Sequence, residues 1–390
     1  MKNVHRFCLT SFLVLGVSGS ALAQETPAKG AVAQAPAPAP VTAASPAPAT
    51  TIAAAAAAVA AAAPAPEPAA RQADTPLPTA FPAVTFGVVS FLQYAAELHE
   101  SDGYNAFDVT RGYLNINARL SERVSIRFTP DVRPTTDVNL DRNLALRLEY
   151  ASLNVQVTDN MAVLFGLHEM PWLTFEESTN RYRVLGPFFA ERLGLIPGAT
   201  DLGASLKASY GHTDVHVGVY NGEGQGRAEV DKYKSIDGRG TFRPFSEDSE
   251  LGKVTISGFY QYGWYARDRP RNVAIGMATY ESDHISASAQ YLSATDNPFV
   301  AVDVQRKGVS FFGEGRQGPA GWAGILGLDI FDPDSDNDSD TTRRLVFGGA
   351  HWSEIGRARL GIVISIEQST RTANAQLLER RLLAQTHIEF

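Results

Sequence analysis

From residue 82 to the C-terminus, apolar residues recur at every second position, and that period decides what the chain can build. The last ten residues show it most plainly. Leu382, Ala384, Thr386, Ile388 and Phe390 share one face, and Leu383, Gln385, His387 and Glu389 share the other. The same alternation sets Val254, Ile256, Tyr260, Tyr262 and Trp264 against Thr255, Ser257 and Gln261. It sets Leu360, Ile362, Ile364 and Ile366 against Arg359, Ser365 and Glu367, and Val215, Val217 and Val219 against His216 and Tyr220. Segments of about ten alternating residues separated by turn residues mark a transmembrane antiparallel β-barrel. A soluble sandwich alternates too. An N-terminal leader, the lack of any cysteine beyond Cys8 and the terminal Phe390 favour the barrel.

Sixteen strands are predicted, at 83–97, 106–119, 123–131, 144–157, 161–168, 200–210, 214–221, 236–244, 252–266, 271–280, 284–293, 303–313, 320–331, 342–353, 357–368 and 381–390. The connections alternate between short turns and longer loops, such as 132–143, 169–199, 222–235, 294–302 and 332–341. An even strand number with both termini in the periplasm requires that rhythm. Two segments fit less well. Leu146 and Leu148 have the opposite parity to Leu153, Val155 and Val157, which a bulge near Tyr150 would reconcile. Val304–Gly313 is weakly patterned, so fourteen or eighteen strands remain alternatives.

Three regions divide the chain. Residues 1–23 read as a signal peptide: Lys2 and Arg6 precede a short apolar core, and Ala21-Leu-Ala23 is a cleavage signature. Residues 24–81 read as a disordered periplasmic tether, with 34 Ala or Pro between 31 and 80 and no periodic face. Residues 82–390 form the barrel in the outer membrane. The net charge of −8 argues against nucleic acid as a partner.

A barrel of sixteen strands is wide enough to hold an aqueous channel. If apolar positions face lipid, the opposite parity sends Arg111, Arg119, Arg127, Lys207, Arg239, Arg243, Arg306 and Arg359 into the lumen, as a pathway for small anions. Asp108, Glu149, Asp201, Glu367 and Glu389 are the carboxylates that could instead pair with them. The thirty-residue connection 169–199 is long for an unstructured link and carries Pro171, Trp172, Phe175, Phe188 and Phe189. It is predicted to fold inward as a constriction, with Glu169, Pro171, Trp172, Phe189 and Arg192 as its marked residues. An external loop packed over a neighbour is the alternative.

Gly166-Leu-His-Glu-Met-Pro-Trp, Phe189-Ala-Glu-Arg192 and Pro197-Gly-Ala-Thr-Asp-Leu-Gly203 resemble segments of the phosphate-selective porin family of the O and P type. Gly112-Tyr-Leu-Asn-Ile before them and Val219-Tyr-Asn-Gly222 after them fit the same order. The resemblance implies a sixteen-stranded outer-membrane porin, a homotrimer that passes small anions such as phosphate. Two positions depart from the family pattern: its lysine falls at Glu169 and its arginine at Thr200.

Asp332, Asp334, Asp336, Asp338 and Asp340 alternate along one loop. Oxygen ligands at that spacing suit Ca²⁺, although Asn337 and Arg343 stand where an EF-hand needs Gly and Glu. A solvated acidic loop is the other reading, and no further cofactor is expected. The histidines are scattered, and no nucleophile–base pair is evident on adjacent strand faces, so no enzymatic step is expected. The rival to a channel is a plugged barrel serving as a structural or surface-binding protein.

Overall fold

The computed structural model describes residues 81–99, 103–134, 144–225, 229, 232–245, 249, 253–266, 269–296, 303–337 and 339–390. The predicted signal peptide and nearly all of the predicted tether lie outside them. The described chain is a closed antiparallel barrel of sixteen strands. In order these are β1 (Ala83–Glu97), β2 (Asn105–Arg119), β3 (Val124–Pro134), β4 (Leu144–Thr158), β5 (Met161–Glu169), β6 (Thr200–Tyr210), β7 (Thr213–Tyr220) and β8 (Ser235–Phe242). They continue with β9 (Lys253–Ala266), β10 (Arg269–Glu281), β11 (Ile285–Asp296), β12 (Val304–Arg316), β13 (Gly321–Asp332), β14 (Thr342–Ile355), β15 (Ala358–Arg371) and β16 (Gln376–Glu389). Each pairs with its sequence neighbours, and β1 closes on β16 with Phe91 opposite His387. Closure leaves no sheet edge, so the backbone hydrogen bonds are satisfied within the wall, as lipid demands.

Bulges adjust the parity where the pattern needs it. Thr129 pairs with Tyr150 and the next residue, Pro130, with Leu148, so Glu149 is the extra residue. Glu149 and Tyr150 are consequently both buried, and the two halves of β4 keep their leucines outward. A second bulge leaves Thr110 unpaired between Arg111 and Val109. It allows Arg111 and Asp108, three residues apart, to share the inner face.

The expected rhythm of connections fails at β8–β9 and β9–β10, and the β15–β16 link on the long-loop rim spans only 372–375. The β8–β9 connection, on the rim that carries both termini, spans 243–252, while the β9–β10 link on the opposite rim is only 267–268. Strands also run further than their apolar pattern suggests. β3 extends to Pro134, and β16 begins at Gln376 rather than 381, because the ladder holds polar residues near the rim as readily as apolar ones.

The outer face is apolar: Phe86, Leu146, Phe165, Ile256, Tyr260, Leu326, Phe347 and Ile364 are exposed there. On β10 the pattern inverts. Val273, Ile275 and Met277 point inward and are buried, while Ala274, Gly276 and Ala278 point out. Those inward residues belong to a core formed with the β5–β6 connection.

Candidate functional site: a lined channel

The segment 170–199 enters the lumen because β5 ends early. β5 has nine residues against fifteen in β4, so the chain leaves the wall about 20 Å short of the rim, measured along the strand. Helix α1 (Leu173–Thr179), a 3₁₀ turn (Arg183–Leu185) and helix α2 (Phe189–Arg192) follow. All are too short to be stable alone, and packing against the wall holds them.

Two apolar contacts hold the segment. Trp172, Leu173, Phe188, Phe189, Leu195 and Ile196 pack against the inner face of β9–β11 and β13, through Phe259, Val273, Ile275, Leu292 and Phe331. Trp172 is fully buried, its ring 5.5 Å from Phe259. Further along, Tyr182 and Val184 pack on Phe91, Ile325, Trp352 and Val363. Gly308 makes room for Phe189, since a Cβ there would sit 2.6 Å from the phenyl ring.

Polar contacts fasten the tip. Arg181 donates to the Pro319 carbonyl at 2.7 Å, in the β12–β13 turn on the terminus-bearing rim. It also pairs with Glu314, which accepts from Tyr182 Oη at 2.7 Å. Gln385 Nε2 on β16 donates to the Val184 carbonyl. On the return leg, Arg192 joins Asp329 on β13. Asp329 meets Arg344, Arg344 meets Glu367, and Glu367 meets Arg381, in a chain of alternating charge across β13–β16. The segment thus lines the wall from β9 round to β16.

The five marked loop residues are accounted for. Glu169 ends β5 and pairs with Lys207. The Pro171 carbonyl accepts from Arg239 Nε at 3.0 Å. Trp172 and Phe189 anchor the apolar contact, and Arg192 anchors the ionic one.

Of the eight cations read as lumen-facing, five stand in ion pairs. Arg111 meets Glu177 at 3.2 Å, Lys207 meets Glu169, Arg239 and Arg243 share Asp214, and Arg306 meets Asp296 at 2.6 Å. Arg243 lies just past the end of β8 rather than within it. Among the described residues no carboxylate pairs with the other three, which lie against aromatic rings. Arg127 stacks 3.5 Å from the Tyr150 centroid and donates to Asn115 and Thr129, Arg119 faces Phe81, and Arg359 faces Trp352. The carboxylates that do the pairing are mostly not the expected ones. Glu367 does pair, but through Arg344 and Arg381, and Glu149 through Arg147.

Besides Arg344 and Arg381, two inner-wall arginines of β3 and β4 went unread in the sequence. Arg147 pairs with Asp131 at 2.8 Å and Glu149 at 3.0 Å, and Arg133 carries no ion pair among the described residues. The bulge at Glu149 hid the first and the extension of β3 hid the second. With them the inner face of β2–β4 carries Arg111, Arg119, Arg127, Arg133 and Arg147 against Asp108, Asp131 and Glu149.

The residues behind the family resemblance meet where the segment leaves and rejoins the wall. Asp201 accepts from the Gly222 amide at 2.7 Å, and Thr200 bonds Gln225. Gly166 has φ +104°, open only to a residue without a side chain. Ser205 lies between His168 Nε2 at 2.8 Å and His216 Nε2 at 3.0 Å. This corrects the reading that adjacent strands bring no hydroxyl and imidazole together. All three side chains are nonetheless buried, and His168 Nδ1 contacts the Gly166 carbonyl at 2.9 Å. The arrangement pins β5, β6 and β7 together. Among the described residues no group of three or more His, Cys, Asp or Glu could hold a metal ion, and Asp338 of the acidic loop lies outside them.

Neither the known protein-family models nor the curated protein sequences give a match. Solved structures do. The chain is similar to OmpF of Salmonella typhi in complex with daunomycin, with a TM-score of 0.56 at 7% identity over 79% of this chain and 98% of that one. A loop L8 deletion mutant of OmpT, an outer membrane protein of Vibrio cholerae, gives 0.55 at 10% identity over 79% and 99%. OprB of Pseudomonas putida gives 0.55 at 11% identity over 78% and 93%. At such identities the likeness is one of fold, the closed β-barrel.

Proposed function

We propose that the protein is an outer-membrane porin through which small hydrophilic solutes diffuse passively, with small inorganic anions, phosphate among them, favoured. The observation that carries this reading is the placement of segment 170–199. It is fastened along β9–β16 and reaches β2 through the Glu177–Arg111 pair, with the arginines of β3 and β4 on the remaining wall. A sixteen-stranded barrel leaves an aqueous lumen, and an element folded inside it narrows the bore. Arg127 and Arg133, which have no carboxylate partner among the described residues, attract anions by replacing part of their lost hydration. No chemical step is involved. Both termini face the periplasm in this reading, and the homotrimer rests on the family resemblance.

A phosphate-specific site is not part of the proposal. At the position of the family's lysine stands Glu169, which neutralises Lys207. At that of its arginine stands Thr200, which is buried against Gln225.

The test is the single-channel reversal potential of the mature protein in a planar bilayer under a KCl gradient, repeated with phosphate. Steps with an anion-selective reversal potential support the reading. Cation selectivity removes the anion preference and keeps the channel. Folded, inserted protein without conductance overturns the channel and favours the plugged barrel.

A further inference from the structure

Glu176 lies on the buried face of α1, beside Leu173 and against the inner wall. Gln290 on β11 donates from Nε2 to Glu176 Oε1 at 3.4 Å. The other oxygen of each group, Glu176 Oε2 and Gln290 Oε1, is buried with no hydrogen-bond partner. If the carboxyl is ionised both atoms are acceptors, and two buried acceptors cannot satisfy each other. One proton cures both. A carboxylic acid donates Oε2–H to the amide oxygen while the amide donates Nε2–H to Oε1, closing a two-bond ring. The unpartnered donor beside them, Trp172 Nε1–H, can serve the carboxyl but leaves the Gln290 oxygen orphaned, so the neutral acid is the form that this geometry fits.

We propose that Glu176 is held as a neutral carboxylic acid paired with the Gln290 amide, and that this pair is a pH-sensitive latch fastening α1 to the channel wall. The surroundings agree. Burial is the largest influence and pushes the Glu176 carboxyl up to about 8. The Arg183 guanidinium and the Trp172 indole pull the other way, and the carboxylates of Glu191 on α2 and Asp329 on β13 push it further up. The β10 residues in the same core, Val273, Ile275 and Met277, are uncharged.

The direction of the pH effect follows from linkage. The released helix would carry Glu176 at the ordinary carboxylate value, 4.5. Fastening α1 above that pH therefore requires uptake of a proton. The latch is at full strength below about 4.5, weakens about tenfold per pH unit and has lost its whole advantage by about 8. Alkaline conditions loosen the lining segment and acid tightens it.

This deepens the channel reading, because α1 belongs to the element that sets the bore, but it can be tested without conduction. Trp172 is buried directly before α1 and serves as reporter. Acrylamide quenching of the folded protein in detergent micelles is measured from pH 5 to pH 9, with Trp172→Phe isolating the signal of Trp172. The expected result is quenching that rises with pH in the native protein and stays flat in Glu176→Gln, which keeps an amide able to pair with Gln290. Should that variant fail to fold, the uncharged Glu176→Leu replaces it. A flat native profile, or the same rise in a folded uncharged variant, overturns the latch. Conductance recorded at both pH extremes separates the two ideas. A folded barrel that never conducts overturns the channel and leaves the quenching titration to decide the latch.

Discussion

Arg111 Nη1 lies 3.2 Å from Glu177 Oε1, and the same carboxylate oxygen meets Arg183 Nε at 2.8 Å. One carboxylate therefore joins the lining segment to the β2 wall across the lumen. Arg111 also rests on the rings of Phe91 and Tyr113, so its position does not depend on Glu177 alone. Glu177→Gln should leave the fold intact and uncover the charge of Arg111 where the segment meets the β2 wall, while Arg183 stays paired with Glu191. A unit charge about 5 Å from a passing ion in a water-like medium is worth about 0.8 kcal/mol, a factor of about four. The chloride-to-potassium permeability ratio should rise by up to the square of that factor, because the two ions respond in opposite senses. A ratio unchanged within error means that permeant ions do not pass this bridge.

The converse change tests the opposite wall. Arg127 and Arg133 carry no ion pair among the described residues, and Arg133 is exposed. Arg127→Gln with Arg133→Gln should lower anion preference, and the effect should be larger in 0.1 M than in 1 M salt. The screening length shrinks from about 10 Å to about 3 Å over that range. Equal effects at both concentrations would point to altered packing at Tyr150 rather than to lost charge.

The barrel was legible because period-two alternation is a direct imprint of one wet and one apolar face, and the strand number emerged from it. The bulge near Tyr150 was legible from a parity conflict inside one strand. The wall of β10 was not. Val273, Ile275 and Met277 look like any outward apolar row, and only the packing of Trp172 and Phe189 against them reveals that they face inward. Ion pairing was equally hidden. Arg192 and Asp329 stand 137 residues apart, and no local pattern links them. The eight cations were chosen by parity, but which of them are paired depends on cross-strand neighbours that a linear pattern does not contain.

Gly166 explains one residue of the shared pattern in physical terms. Its φ of +104° is unfavourable for any L-residue, and a Cβ would stand 2.5 Å from the Ala151 carbonyl oxygen on β4. Gly166→Ala should cost about 1–3 kcal/mol from backbone strain, with the steric contact in addition. The midpoint of urea unfolding in detergent should fall. Gly276→Ala is the control, because nothing lies within 4 Å of its Cβ position and its φ is ordinary. Equal midpoints for the two variants would mean that the β4–β5 contact relaxes without cost.

Trp172 decides whether the lining segment stays in place. It is fully buried, in ring contact with Phe175 at 5.8 Å and Phe259 at 5.5 Å, and it precedes the helix that carries Glu176 and Glu177. Replacing a buried Trp by Ala typically costs about 3–5 kcal/mol, because the surroundings collapse only partly. The wall around Phe259 is fixed by ladders on both sides, so the loss should fall on α1 rather than on the barrel. Trp172→Ala should therefore leave the sixteen-stranded fold and its resistance to unfolding nearly unchanged while freeing segment 170–199 to move. The readouts are proteolytic cleavage within 173–192 and larger, noisier conductance steps. If the variant resists protease as the native protein does and conducts identically, the polar fastenings at Arg181 and Arg192 hold the segment without the apolar one. If the whole barrel unfolds, the core shared by Trp172 and β9–β11 is part of the barrel's own stability and not merely the seat of its lining.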